Sequence, residues 1–318
     1  MADIVYYPDD RPGITRRRWG RGFRYLAPDG TTIEDAGERK RLAALAVPPA
    51  YDDVWMCPLP HGHLLATGRD AKNRKQYRYH PEWAAERART KFDLLPAFGR
   101  LLPRIRRRVR RDLNEDVGEK AFALASAVAL IDRAALRVGS DEYARENGSY
   151  GALTLKQRHI SLSGTQIKLN YTAKGGKRVR KQLADRTLAR ILNKIGDLPG
   201  ATLLSWLDDD GMPQTLSSQA LNDYIATACD MEEITAKTFR TWAGTLAAFE
   251  VAQAGPTTIK DMSQAAAARL HNTPTIARNS YIHPRVIALA QGDQSQPRPV
   301  EVPDLRVSEQ HLLACLDG

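Results

Sequence analysis

The stretch His271 to Pro284, HNTPTIARNSYIHP, holds a tyrosine whose surroundings suit a nucleophile. Thr273 can cap a helix with Pro274 as its first residue; Tyr281 then follows about two turns on, beside Arg278 and Asn279, and Pro284 disturbs the helix just beyond. A phenol has a pKa of about 10, so it attacks at neutral pH only with cations around it and a partner that protonates the leaving group. Cations with unusual settings occur elsewhere in the chain. Arg137 precedes Gly139 at the end of an apolar, alanine-rich helix predicted from Lys120 to Val138. Lys174 heads a Lys174-Gly175-Gly176 hairpin tip, where a lysine projects on a mobile arm. Arg240 lies off the apolar stripe of a helix predicted over Ala236 to Ala254, near its N-terminal end. A cation there opposes the helix dipole unless an anion is bound. Taken singly, each has an ordinary reading: Tyr281 packs, Arg137 caps, Lys174 faces water.

The elements that must position these groups fall into two parts. Residues 1–89 are β-rich and strongly basic. Strands are predicted at Phe23 to Leu26 and Thr31 to Ile33 around the Pro28-Asp29-Gly30 turn, preceded by the basic run Arg16-Arg17-Arg18-Trp19-Gly20-Arg21-Gly22. A helix over Glu34 to Ala46 and strands at Asp53 to Met56 and His63 to Thr67 follow. In Lys75 to Tyr79, strand alternation puts Gln76 with Arg78 on one face and Tyr77 with Tyr79 on the other, a mixture suited to DNA phosphates and groove edges. Pro81 to Thr90 reads as a helical hinge. Residues 90–318 are mainly helical, with a three-stranded antiparallel segment at Arg158 to Leu162, Gln166 to Ala173 and Lys177 to Leu183. Six arginines between Leu101 and Leu113 (104, 106, 107, 108, 110 and 111) repel unless something anionic sits nearby, and phosphate is the natural candidate. Asp208-Asp209-Asp210-Gly211 lacks the rest of a calcium pattern and reads as a turn. The tail is Pro-rich from Gln294 and ends in a weak helix, Ser308 to Leu316.

Composition narrows the partners. Over 318 residues Lys and Arg outnumber Asp and Glu by 47 to 37, a net charge of +10 that points to a polyanion or a membrane surface. No apolar run is long enough to span a bilayer and no leader pattern is present, so a cytoplasmic, nucleoid-associated protein is expected. Cys57, Cys229 and Cys315 are odd in number and far apart, which suits reduced thiols and offers no zinc spacing. Without a Walker loop, a dinucleotide fingerprint or an acidic metal cluster, no cofactor, nucleotide or metal is expected.

Order, spacing and flanking residues together resemble the type IB DNA topoisomerases of the compact bacterial and poxviral kind, which share a catalytic fold with tyrosine recombinases. The matching text is RVGSDEYARENGSYGALTLKQRHI from Arg137, AKGGK at Lys174, KTFRTWAG around Arg240, HNTPTIARNSYIHP around Tyr281 and KQYRY in the basic part, so the likeness covers most of the chain. The resemblance implies an α+β monomer: a small β-rich cap, 1–89, and a larger, mainly α-helical catalytic domain, 90–318, forming a clamp around duplex, supercoiled DNA. It implies that Tyr281 forms a 3′-phosphotyrosyl link, that Arg137 and Arg240 hold the transition state, and that Lys174 is the general acid. Gln76, Tyr77, Arg78, Tyr79 and Tyr143 are DNA contacts by the same comparison. The family places a histidine nine residues before the nucleophile; here Asn272 fills that slot and His271 is one residue earlier. Asn272 is assigned as the transition-state donor, with His271 as its DNA-contacting neighbour. Recombinases carry histidine three residues before the second arginine, whereas this chain has Lys237, as topoisomerases do, and Lys237 is assigned to DNA contact. The implied reaction needs neither ATP nor metal: cleavage, strand rotation and religation.

Overall fold

The computed structural model describes residues 3–71, 73–196, 200, 202–291 and 301–318. They form two compact units, divided between Thr90 and Lys91.

The N-terminal unit is built on one five-stranded antiparallel sheet. Its strands are β1 (Ile14–Trp19), β2 (Gly22–Leu26), β3 (Asp52–Met56), β4 (Leu64–Arg69) and β5 (Lys75–Tyr79), in the order β2-β1-β3-β4-β5. One helix, α1 (Ala36–Ala44), buries Leu42 with Ile14, Val54, Met56 and Ala66 in a small core. Two expectations change here. The basic run is itself strand β1, paired with β2 so that Trp19 opposes Gly22 across a two-residue tip. The Thr31 to Ile33 segment reduces to a single bridge, Thr32 to Leu26. Arginines suit an exposed strand because their side chains stand out from the sheet: Arg16 lies over the Phe23 ring at 4.2 Å and Arg24 over Trp19 at 4.5 Å. The predicted hinge is a continuous helix, α2 (Pro81–Asp93).

The C-terminal unit is mainly helical. Its elements are α3 (Leu95–Asp112), α4 (Lys120–Ala134), α5 (Asp141–Asn147), β6 (Ile160–Ser163), β7 (Gln166–Ala173), β8 (Lys177–Ala184), α6 (Arg186–Ile195), β9 (Ser205–Leu207), β10 (Pro213–Thr215), α7 (Ser218–Cys229), α8 (Ala236–Gln253), α9 (Ile259–Leu270), α10 (Pro274–Tyr281), α11 (Pro284–Leu289) and α12 (Val307–Asp317). The three-stranded antiparallel sheet β6-β7-β8 forms as expected, and a second small hairpin, β9-β10, brackets the Asp208–Gly211 turn. Phe98, Leu102, Ile105, Phe122, Leu130 and Ile131 fill the core between α3 and α4, and Phe98 meets Phe239 and Trp242 of α8 edge-on.

Five of the six arginines on α3 meet protein carboxylates, anions the sequence reading did not foresee, and Arg104 turns to the Cys229 carbonyl at 3.5 Å. Arg106 makes paired bonds to Asp132 and to Glu309, all 2.8 to 3.0 Å. Arg108 and Arg111 converge on buried Asp112, which also accepts from the Tyr224 hydroxyl at 2.8 Å; Arg107 and Arg110 share Asp304. Asp304 and Glu309 lie some two hundred residues along the chain, so no local pattern could pair them with α3. The C-terminal helix is likewise no loose end: Leu312, Leu313 and Leu316 are buried and Arg285 donates to the Leu316 carbonyl at 3.0 Å. The first residues of the Pro-rich stretch, 294–300, lie outside the described residues.

Candidate active site

Two helix C-termini build the site. Helix α4 ends at Ala134, four residues short of the predicted Val138, because Ala135 turns left-handed (φ 52°). Helix α9 ends the same way at His271 (φ 51°). Each non-glycine residue in that region costs roughly 1–2 kcal/mol. Each turn throws the next residues off the helix axis, and these include Arg137 and Asn272. Arg137 therefore lies beyond its helix, where it does not serve as the expected cap. Its backbone is held by Ala152 N donating to its carbonyl at 2.8 Å. Gly151 permits that approach, since a Cβ there would sit 2.6 Å from the Arg137 carbonyl oxygen. The Arg137 guanidinium donates to Asn272 Oδ1, joining the two caps' products.

Arg240, in the second turn of α8, is 4 % exposed. Its Nη1 donates to the Ala135 carbonyl and its Nη2 to the Leu270 carbonyl at 3.1 Å. Both acceptors belong to helix C-terminal ends, whose partial negative charge offsets the unfavourable place of this cation on its own helix. Burial, reinforced by the like charge of Arg137, pushes the guanidinium below its usual range, with Tyr281 and Tyr171 acting in the opposite sense.

Tyr281 ends α10. Thr273 caps that helix as expected, its hydroxyl accepting from Ile276 N at 3.3 Å. The Tyr281 ring lies 5.3 Å from the Arg240 guanidinium carbon. Its main chain is pinned on two sides: Thr245 Oγ1 donates to the Tyr281 carbonyl at 3.0 Å, and Lys91 Nζ donates to the Ser280 carbonyl at 2.8 Å. Burial, then the nearby charge of Lys237, brings the Lys91 ammonium down to about 8. A Cβ on Gly244 would fall 2.8 Å from the Tyr281 main-chain carbonyl oxygen and 3.0 Å from its Cβ, so α10 can approach α8 only over a glycine.

Three side-chain nitrogens of this cluster are buried with no hydrogen-bond partner among the described residues: Arg240 Nε, His271 Nε2 and Asn272 Nδ2. Burial, then the charges of Lys181, Arg240, Arg137 and Arg269, holds His271 neutral, its pKa down at about 4. A buried unpaired polar group costs about 1–3 kcal/mol. Arg240 Nε and Asn272 Nδ2 are donors and the neutral His271 Nε2 is one in its Nε2–H tautomer, so together on one cationic cluster they describe a cradle for an anion with several acceptor oxygens. No group of three or more His, Cys, Asp or Glu side chains that could hold a metal ion occurs among the described residues.

Sequence reasoning missed Lys181, Thr245, Gly244 and Lys91. Gly244 inside a helix was the one visible signal; the others act through backbone carbonyls brought from distant segments. Conversely, Lys174 is exposed on the turn between β7 and β8, where it makes no hydrogen bond or ion pair among the described residues. Tyr143 is 42 % exposed on α5, and Lys237 is exposed in the first turn of α8. In the N-terminal unit, Tyr77 and Tyr79 stack at 6.1 Å on the exposed face of edge strand β5. Gln76 is tied to Asp70 at 3.0 Å and Arg78 to the Ala46 carbonyl at 3.3 Å.

Residues 73–277 match the family described as eukaryotic DNA topoisomerase I, catalytic core, and residues 22–70 match the bacterial DNA topoisomerase IB N-terminal domain. The first match covers more than half of the chain and takes in Arg137, Lys174, Arg240 and Asn272; it stops short of Tyr281. The chain belongs to the type IB DNA topoisomerases and is an enzyme that acts on DNA. A curated relative, DNA topoisomerase 1B of Acanthamoeba polyphaga mimivirus, is 28 % identical over 238 residues, which span 74 % of this chain and 70 % of the relative. No helix among the described residues is long and apolar enough to cross a membrane.

Proposed function

We propose that the protein relaxes supercoiled duplex DNA through a Tyr281-linked intermediate, without ATP or metal. The observation that carries this reading is one cluster of three unpartnered buried nitrogens, in which Arg137 bonds Asn272 and Arg240 lies 5.3 Å from the Tyr281 ring. The Tyr281 oxygen bonds to phosphorus as the bond to the 5′ oxygen breaks, leaving a 3′-phosphotyrosyl link and a free 5′-hydroxyl. The Arg137 guanidinium, Arg240 through Nε and Asn272 through Nδ2 donate to the non-bridging oxygens. Asn272 supplies a neutral donor without a titrating proton. Lys174, on its exposed arm, delivers the proton that makes the 5′ oxygen a leaving group, a step to which a positioned acid contributes about 10² to 10⁴. His271 stands beside Asn272 at the phosphate.

Exchange of one phosphodiester for another conserves most of the bond energy, so religation needs no ATP, and the arginines supply the charge a divalent cation would otherwise bring. Strand rotation between the two steps relaxes supercoils of either sign. The N-terminal cap domain, 1–89, and the catalytic domain, 90–318, close as a monomeric clamp on the duplex. Gln76, Tyr77, Arg78 and Tyr79 meet it from the cap, and Tyr143 and Lys237 from the catalytic side. The expected setting is the nucleoid in the cytoplasm. The test is relaxation of a supercoiled plasmid in EDTA without ATP, comparing wild type with Tyr281→Phe. Relaxation by wild type alone supports the reading; equal relaxation by Tyr281→Phe, or loss of wild-type activity in EDTA, overturns it.

A further inference from the structure

Lys181 has no part in the chemistry proposed above, yet it is bound at the centre of the site's framework. It lies on β8 opposite Leu169, and its Nζ donates to the Ala134 carbonyl at 2.5 Å and to the Arg269 carbonyl at 3.0 Å. Arg240 takes the next carbonyl along each chain, those of Ala135 and Leu270. Two cations thus bridge the same two helix ends, one residue apart. Arg269 adds a third strut, its Nη2 donating to the Arg133 carbonyl at 3.0 Å. Immediately beyond these ends, through the left-handed residues Ala135 and His271, come Arg137 and Asn272. Helix C-terminal ends carry partial negative charge and repel when brought side by side, so their meeting depends on the cations between them.

We propose that Lys181 is a positioning residue for DNA cleavage: its ammonium ties the ends of α4 and α9 together so that Arg137 and Asn272 meet at the phosphate. The inference rests on the reading of the Tyr281 site given above. Two of the three ammonium donors of Lys181 are committed to main-chain carbonyls, so its part in this reading is to tie the helix ends, and the acid role stays with Lys174. Burial, then Arg269 of α9 and Arg240 of α8, bring the amine down to about 7, and Lys181 is in turn foremost among the charges holding neighbouring His271 neutral. A phosphate seated at Arg137 and Arg240 would favour the charged amine, so binding of DNA tightens the tie.

The experiment compares wild type, Lys181→Met and Lys181→Arg in plasmid relaxation with protein in excess, together with duplex affinity and thermal melting. Displacing a catalytic group by about 1 Å can cost on the order of 10²-fold. Lys181→Met is expected to bind duplex DNA within about threefold of wild type and to relax it roughly 30- to 100-fold more slowly, measured well below its own melting transition. Lys181→Arg, which keeps charge and two donors, is expected to recover to within about tenfold. On an Asn272→Ala background the Lys181→Met loss should shrink to about threefold or less, because residues acting through one another are not additive. Wild-type rates in Lys181→Met, or an undiminished loss on the Asn272→Ala background, overturn the proposal. If Lys181→Met does not fold, Lys181→Gln, with donors but no charge, takes its place: about tenfold slower relaxation at wild-type affinity supports the tie, and a wild-type rate refutes it. Should Tyr281→Phe relax DNA as wild type does, the site reading fails. Should Tyr281→Phe be inactive while Lys181→Met is fully active, only the role of Lys181 fails.

Discussion

Two tyrosines stand near Arg240, and their surroundings divide them. Tyr171 is buried on β7, and burial pushes its phenol up to about 12 despite the pull of Arg240 and Arg137. Tyr281 is half-buried at the end of α10, with its ring against the guanidinium. Tyr171→Phe should therefore relax plasmid DNA within about threefold of wild type, in contrast to the loss expected of Tyr281→Phe. Arg240 is committed through Nη1 and Nη2 to two carbonyls, while its buried Nε has no hydrogen-bond partner among the described residues. Arg240→Lys keeps three donors but places them on one nitrogen, so it cannot reach the Ala135 and Leu270 carbonyls from separate nitrogens and still present a donor where Nε stands. Loss of one donor to developing charge typically costs about 10² to 10³ in rate, and a fall of that order is expected in single-turnover cleavage. Gly244→Ala tests placement without touching chemistry. The added methyl forces the Tyr281 backbone away from α8, so relaxation should drop at least about tenfold while duplex affinity holds.

At the scale of elements, the helix that follows Tyr281 is capped by a histidine that must stay neutral. His283 Nδ1 accepts from Arg285 N at 3.1 Å at the start of α11, and burial, then Arg285, bring its pKa down to about 4, against a partial opposing pull from Asp93. His271 is held down to about 4 as well. Both folded values lie below the ordinary histidine value of about 6.5, so the unfolded chain binds more protons between pH 6.5 and 4, and stability is lost as pH falls through that window. Thermal melting should show the fall, and His283→Asn, which keeps a capping oxygen without a titrating proton, should flatten part of it. The Arg106 network is the other element-scale joint. Glu309 is 1 % exposed and joins α12 to α3, so Glu309→Gln leaves a buried guanidinium half paired. Removing one partner of a buried pair costs about 3–5 kcal/mol, a loss that urea unfolding of the variant would read.

On the scale of the whole molecule, charge is divided between structure and surface. The α3 arginines contribute to the net +10 yet are largely spent on Asp112, Asp132, Asp304 and Glu309. On the function proposed above, phosphate contact falls to the exposed arginines of β1, Arg17 and Arg18, and to Lys174 and Lys237. For a clamp held by phosphates, log affinity falls with log salt at a slope of about −0.9 per contact. Replacing Lys237 with Ala should lower that slope by about one unit, whereas Arg110→Ala, already paired with Asp304, should leave it unchanged. Filter binding over a range of salt concentrations separates the two.

Local chemistry was enough to read the three-stranded sheet, the cap and span of α10, the paired faces of β5 and the family itself, because alternation, capping and motif order are properties of neighbouring residues. The true end of α4, the strand nature of the arginine run at β1 and the partners of the α3 arginines were not legible in that way. They depend on a left-handed alanine, on pairing of the arginines with β2 and on carboxylates some two hundred residues distant. The site divides along the same line. Tyr281, Arg137, Arg240 and Asn272 were singled out in the sequence through the resemblance of their motifs to the type IB topoisomerases. What joins them was decided by tertiary structure alone: two helix ends drawn together by Lys181 and Arg240 through main-chain carbonyls, which every residue possesses and no sequence pattern marks.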